Sequence, residues 1–378
     1  LFYCTKVKLR IHYKLIFNMS SYNNINNNII SGGTMKFYNK EKELNYLKTY
    51  CQLEPNSILF VYGPKSSGKS TVMKRVIKEL EDRDDLVFFY YNLRKYATPT
   101  KEEFLNIFFE KGDKKYLINK LELNFKIFKF GVEENFEYNN IMLNNVFTKI
   151  NESVNKVVED GKKPILIIDE LQKLKSIYFT GNGDKSLLNE LFNLFVSLTK
   201  MEHLCHVICL TSDTLFIDEI YRNSTLKNTS KYYLINWLRK GTVRSILKEE
   251  GFTEDEVNYA INYISLPYEI VELVENKKLG LTVEETIRQW INIEADKLKY
   301  LIDDSELDEK ELYNILSKFK DKIKISYKME VKKEETKYIK FLIENEILFY
   351  DVINGIIKPT SIIEWHAIRE ILQVYNVK

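Results

Sequence analysis

The chain has 378 residues, 44% apolar and 13% aromatic, enough for two or three domains with a sizeable core. Its 56 basic and 54 acidic residues give a net charge of +2, which excludes a polybasic nucleic-acid coat but leaves local patches open. Four cysteines (Cys4, Cys51, Cys205 and Cys209) make no disulfide framework, so a reducing cytoplasm is expected, and no apolar run approaches the ~18 residues of a membrane span.

Residues 1–34 carry Lys6, Lys8, Arg10 and Lys14, no acidic residue, and an Asn-rich tract at 23–28. Lys14 interrupts the only apolar stretch that would suit a signal peptide. The first residue is Leu, and Met35 follows Gly32-Gly33-Thr34. The segment therefore reads as disordered or as an upstream extension, with Met35 the working start. Beyond it, Asn39 is placed to cap a helix bearing Leu44 and Leu47.

The apolar run 58–62 predicts a buried strand. It enters Gly63-Pro64-Lys65-Ser66-Ser67-Gly68-Lys69-Ser70-Thr71, which fits G-x-x-x-x-G-K-[ST]. Val72, Val76, Ile77 and Leu80 then fall at helical spacing. Strand, glycine loop and helix are the context in which backbone amides form a nest for phosphate oxygens. Lys69 is placed for the β- and γ-phosphates and Ser70 for Mg²⁺.

A second strand is expected at 86–91. Residues 94–160 read as largely helical, partly an insertion, ending in a helix at 140–159 with Ile141, Met142, Val146, Ile150, Val154 and Val157 on one face. Pro164-Ile165-Leu166-Ile167-Ile168-Asp169-Glu170-Leu171-Gln172 is a buried parallel strand with acids at its C-terminal end, where such sheets bind ligands. Asp169 is the candidate to hold Mg²⁺, and Glu170 the candidate base for an attacking water. The 181–185 segment reads as a loop, and a helix carrying Leu187 to Leu198 follows.

The run His203-Leu204-Cys205-His206-Val207-Ile208-Cys209 has metal-like residue types, yet it leads into a strand at 206–210, where Cys serves as a small core residue. At that strand's tip Ser212 is a candidate for the γ-phosphate or water, with a helix N-cap as the alternative. Arg222 is a candidate arginine finger, in cis or trans, with a solvated surface Arg as the alternative. A last strand is expected at 232–235.

Helices at 242–250, 254–264, 268–275 and 283–298 suggest a lid over 237–299. From 300 onward, helices at 310–318 and 335–345, short strands at 347–350 and 355–358 and a helix at 361–374 suggest a winged helix. Between Lys318 and Lys340, nine basic residues face four acidic ones, a patch suited to phosphates or to plain solvation.

Together these features resemble the archaeal ATPase family, a branch of the additional-strand P-loop ATPases near the AAA+ and STAND groups. The resemblance rests on Phe37-Tyr38-Asn39-Lys40-Glu41-Lys42-Glu43-Leu44, the 63–71 loop, Ile167 to Gln172, Leu210-Thr211-Ser212 and the C-terminal strand pair. It implies an α/β fold over 35–378: a P-loop NTPase core with a five-stranded, mainly parallel sheet (35–236), the helical lid and a winged-helix domain (300–378). Lys40 stands where the family usually has Arg, Lys227-Asn228-Thr229 where it has Gly-Arg, and Ser265-Leu266-Pro267 where the lid often opens with Gly-Gly-x-Pro. The expected activity is Mg²⁺-dependent ATP hydrolysis driving a switch whose winged helix contacts DNA or a protein, with homo-oligomers open. The alternative is a non-catalytic, nucleotide-dependent interaction module. The lid and winged-helix regions argue against a small-molecule kinase, and the lack of an N-K-x-D motif favours adenine.

Overall fold

A computed structural model describes residues 40–95, 109–110, 130–131, 143–179, 185–223 and 226–375. The 1–34 segment, the Asn39 cap, most of the 94–142 stretch and the 181–184 loop lie outside these residues.

Helix α1 (Glu41–Gln52) buries Leu44, Leu47, Tyr50 and Cys51. Strand β1 (Ile58–Tyr62) is buried along its whole length and leads through the glycine loop into α2 (Lys69–Glu79). Next come β2 (Leu86–Asn92), the short parallel pair β3 (Phe109–Glu110) and β4 (Phe130–Gly131), α3 (Leu143–Glu159) and β5 (Lys163–Asp169). The β3–β4 pair departs from the largely helical reading of 94–160. In α3, Ile150 and Val154 are buried as their spacing predicts.

A two-strand antiparallel pair, β6 (Tyr178–Phe179) with β7 (Lys185–Ser186), precedes α4 (Leu187–Val196). Strand β8 (His206–Thr211), α5 (Thr214–Arg222) and β9 (Ser230–Leu234) complete the core. The sheet order is β2-β5-β8-β1-β9, with every pairing parallel. Apolar runs buried on both faces are what such a sheet requires. Because all five strands run the same way, Tyr62, Asn92, Asp169, Thr211 and Leu234 finish at one edge, with Asn92 beside Asp169 and Tyr62 between Thr211 and Leu234.

Four helices follow: α6 (Lys240–Glu249), α7 (Glu254–Ala260), α8 (Pro267–Lys278) and α9 (Val283–Asp303). Capping boxes start α7 (Thr253 with Glu256) and α9 (Thr282 with Glu285), each satisfying two amides that the helix leaves open. Helix α9 runs past the expected 298 because Leu298 and Ile302 continue its buried face.

The C-terminal part comprises α10 (Glu309–Ser317), β10 (Ile325–Ser326), α11 (Tyr327–Glu330), α12 (Thr336–Glu344), β11 (Leu348–Asp351), β12 (Ile356–Pro359) and α13 (Ile362–Val374). The antiparallel order β10-β12-β11 completes a winged helix, with Gly355 at φ 64° in the β11–β12 turn.

Core, lid and winged helix meet at one junction. The Trp237 indole N–H donates to the Thr360 carbonyl at 2.8 Å, and the Lys358 ammonium lies 3.7 Å from the Trp237 ring centroid. Ser265 Oγ accepts from the Ile362 amide (3.0 Å), while its carbonyl accepts from the Leu238 amide (2.7 Å). Glu269 Oε2 accepts from the Ser265 and Leu266 amides at 2.6 and 2.8 Å, closing the start of α8. Burial pushes the Glu269 carboxyl up to about 7 against the pull of those amides. A carboxyl raised in the folded state binds more protons than in the unfolded chain. Its contribution to stability is therefore present at low pH and lost as pH rises from the ordinary carboxylate range through about 7. Glu269→Gln, which keeps an acceptor for the amides, should raise stability at pH 8 by about 1–2 kcal/mol and leave it unchanged near pH 4.5. Denaturant titrations at the two pH values check this.

Candidate functional site

The site grows from the end of β1. Gly63 lies against the next strand's exit: a Cβ there would sit 2.1 Å from the Ile235 carbonyl oxygen, so no side chain fits. The loop turns through two left-handed residues, Ser66 at φ 61° and Gly68 at φ 92°. Gly68 is the N-cap of α2, whose first-turn amides open toward the loop. Lys69 is buried, and its ammonium donates to the Gly63 and Pro64 carbonyls, each at 2.9 Å. Burial brings this amine down to about 8, while the nearby Glu170 and Asp169 carboxylates oppose the fall.

Asp169 ends β5 almost fully buried. Its Oδ2 accepts from the Tyr90 hydroxyl at 2.7 Å. Burial raises its carboxyl, with the hydroxyls of Ser70 and Tyr90 opposing. Oδ1 is buried and has no hydrogen-bond partner among the described residues. A buried carboxylate oxygen without a donor, beside a serine hydroxyl, fits an oxygen-seeking divalent cation such as Mg²⁺.

Glu170 follows at φ 67°, left-handed, a conformation that costs a non-glycine residue about 1 kcal/mol or more. Its amide donates to the Leu210 carbonyl at 2.9 Å, carrying the β5–β8 ladder one residue further. Both of its carboxylate oxygens are engaged: Oε1 with Arg94 Nη2 at 2.6 Å, and Oε2 with the Gln172 side-chain amide at 2.6 Å. Gln172 Oε1 accepts from Thr211 Oγ1 at 2.8 Å. Arg94, Gln172 and Thr211 join the site read from the sequence. Signals existed: Gln172 closes the Asp-Glu-Leu-Gln string, Thr211 is the last residue of β8, and Arg94 stands just beyond β2.

Thus Lys69, Ser70, Asp169 and Glu170 come together, and the structure bears on the alternatives given for the other two candidates. The cap of α5 is Asp213, whose Oδ1 accepts from the Phe216 amide at 2.9 Å, so Ser212 does not fill that alternative role. Arg222 is exposed at the end of α5, paired with Asp218 at 3.0 Å, and the groups that bear on its charge include Tyr350 and Tyr327 of the winged helix. His203 Nδ1 and His206 Nε2 face the Pro55 and Leu53 carbonyls, and Cys205 and Cys209 are fully buried core residues with raised thiols.

Two flanking parts close on the loop. Pro267 at the start of α8 stands within 3.6 Å of where a Gly68 Cβ would be. From the winged helix, Glu346 pairs with Lys65 at 2.7 Å and Asp351 accepts from the Tyr62 hydroxyl at 2.8 Å.

Comparison with known proteins gives two family matches. Residues 37–273 match an ATPase domain predominantly from Archaea, and residues 284–372 match the C-terminal domain described as uncharacterized ATP-binding protein MJ1010-like. Two uncharacterized ATP-binding proteins of Methanocaldococcus jannaschii are 81% identical over 339 residues and 80% identical over 341. Each match spans 90% of this chain and 98% or more of the relative. The Aeropyrum pernix ORC2 protein, solved as ADPNP-ADP complexes, aligns with a TM-score of 0.50 over 92% of this chain and 97% of its own, a likeness of fold alone at 11% identity.

A lysine at about 8 must be charged to hold a phosphate. Nucleoside triphosphate binding at pH 8 should therefore take up about half a proton, and affinity should decline at higher pH. Calorimetry in two buffers of different ionisation enthalpy measures the uptake. Lys69→Ala should abolish it and weaken binding about 10- to 100-fold. Unchanged affinity in a folded Lys69→Ala protein would remove Lys69 from the phosphate site.

Proposed function

The chain belongs to the family of ATPase domains found predominantly in Archaea, and we propose that it binds and hydrolyses ATP with Mg²⁺, as a switch read by its winged helix. Amides of 65–71 and the Lys69 ammonium hold the β- and γ-phosphates. Ser70 and Asp169 would hold Mg²⁺, which when bound neutralises charge on those phosphate oxygens. Glu170 takes a proton from the attacking water as its oxygen bonds to the γ-phosphorus. The bond to the β,γ-bridging oxygen breaks, and ADP and phosphate leave. Ser212, next to Thr211 at the tip of β8, remains a candidate contact for the γ-phosphate. Arg222, exposed and paired with Asp218, keeps its two readings, an arginine finger in cis or trans and a solvated surface arginine.

The observation that carries this reading is the buried Glu170 carboxylate within electrostatic reach of Lys69. A site that only binds phosphate gains nothing from a second buried acid, which repels the ligand. The occupancy of both Glu170 oxygens favours a second reading, a nucleotide-dependent docking module without turnover. In the catalytic reading one partner must leave, and the half-exposed Arg94 is the freer of the two.

The switch is supported by Lys65, which lies within the loop yet pairs with Glu346 of the winged helix. An entering phosphate competes for Lys65 and repels Glu346. What the winged helix then contacts is DNA or a protein, a second copy of this chain included. Lys318 pairs with Glu335 and Lys322 with Glu330, so part of the basic 318–340 stretch is neutralised internally, which favours a protein.

Glu170→Gln should retain ATP while slowing steady-state hydrolysis about 10²- to 10⁴-fold. Turnover equal to the parent's would exclude Glu170 as base. If DNA is the partner, affinity for a duplex must fall steeply with salt, and a salt titration in ATP and in ADP checks that. The protein-partner reading expects no salt-sensitive binding in either.

A further inference from the structure

Beyond the phosphate loop and the two acids, the described residues contain one side-chain chain that ends on the proposed base. Asp213 N–H donates to Thr211 Oγ1 at 3.1 Å, Thr211 Oγ1 donates to Gln172 Oε1 at 2.8 Å, and Gln172 Nε2 donates to Glu170 Oε2 at 2.6 Å. From this geometry we infer that Gln172, held by Thr211, is a positioning residue that fixes the Glu170 carboxylate for hydrolysis. The inference rests on the ATPase reading above.

The direction of the chain is set by chemistry. A backbone amide can only donate, so the Thr211 hydroxyl accepts from Asp213 and turns its own proton toward Gln172. Gln172 must then offer its oxygen to Thr211 and its amide nitrogen to Glu170, because the flipped amide would set an oxygen against the carboxylate. Every link thus donates toward Glu170, and a hydrogen bond to an ionised acceptor is about twice as strong as a neutral one.

Glu170 needs such a hold. Its backbone is left-handed, so the side chain leaves the strand in an uncommon direction, and its other partner, Arg94, is 48% exposed. Gln172 sits two residues on, in the short 3₁₀ turn Leu171–Leu174, whose buried Leu171 and Leu174 anchor it. The tip of β8 and the base are therefore one mechanical unit: Asp213, which anchors the donor end, also caps α5. Gln172 spends its amide group on Glu170 and Thr211, so its effect passes through Glu170.

The test uses the full chain and four variants, Thr211→Val, Thr211→Ser, Gln172→Ala and the double Thr211→Val with Gln172→Ala, with Glu170→Gln as reference. Steady-state kcat and KM for ATP, nucleotide Kd and melting temperature are measured. Thr211→Val, nearly isosteric, should lower kcat about 10- to 100-fold, the range expected for a misplaced catalytic group, with KM and Kd within about twofold of the parent. Thr211→Ser, which keeps the hydroxyl, should restore the parent kcat. The double variant should be no slower than Gln172→Ala, because both act through one link. Should Gln172→Ala fail to fold, the Val–Ser pair at 211 decides alone. A parent kcat in Thr211→Val, an equal loss in Thr211→Ser, or multiplicative losses in the double variant overturn the inference. Parent turnover no faster than that of Glu170→Gln would instead overturn the ATPase reading. Turnover that needs Glu170 but ignores Thr211 and Gln172 sinks the positioning role alone.

Discussion

The buried Lys69 ammonium at the head of the phosphate loop is the constraint from which the rest of this structure follows. Lys69 rests on two carbonyls of its own loop, and burial makes its charge costly enough to pull its proton affinity toward neutrality. Such a group is stable only where acceptors and opposing charges surround it. The parallel sheet provides them, because strands that all run one way deliver Asp169, Glu170 and Thr211 to the edge where β1 ends. The tight spacing of Gly63 against Ile235 keeps the loop on that edge.

The loop is also where separate parts of the chain converge. Pro267 approaches it from the helical side and Glu346 from the winged helix, while Trp237, Ser265 and Lys358 tie these flanking parts to each other. A displacement at the phosphates has few ways to remain local. The hydrogen bonds from Tyr62 and Trp237 to the winged helix are short and largely sheltered from water, which makes them more directional than the exposed Lys65–Glu346 pair.

What could be read in the sequence was whatever a few consecutive residues decide. Four apolar residues and two acids announced β5. The glycine spacing announced the loop. The five-stranded sheet, the helical lid and the winged helix followed from the order of such signals. The linkage from Thr211 to Gln172 was hidden because it joins residues 39 apart in sequence, and the Arg94 pairing because its carboxylate comes from another strand. Strands of two residues, such as β3, β4 and β10, are too short to carry a period of two. The alternative given for Ser212, capping α5, falls to Asp213: either side chain can accept from a helix amide, and only the backbone turn chooses between them.

The Tyr62–Asp351 hydrogen bond spans 289 positions of sequence and is buried at the point where β1 becomes the phosphate loop. It makes the C-terminal region part of the loop's own foundation rather than an accessory. In a chimera carrying another winged helix, Asp351 would be the position to keep. A chimera that lost Asp351 would strand the Tyr62 phenol in a sheltered place and loosen the loop it supports. Core and winged helix thus share one foundation, and a cut between them would pass through it.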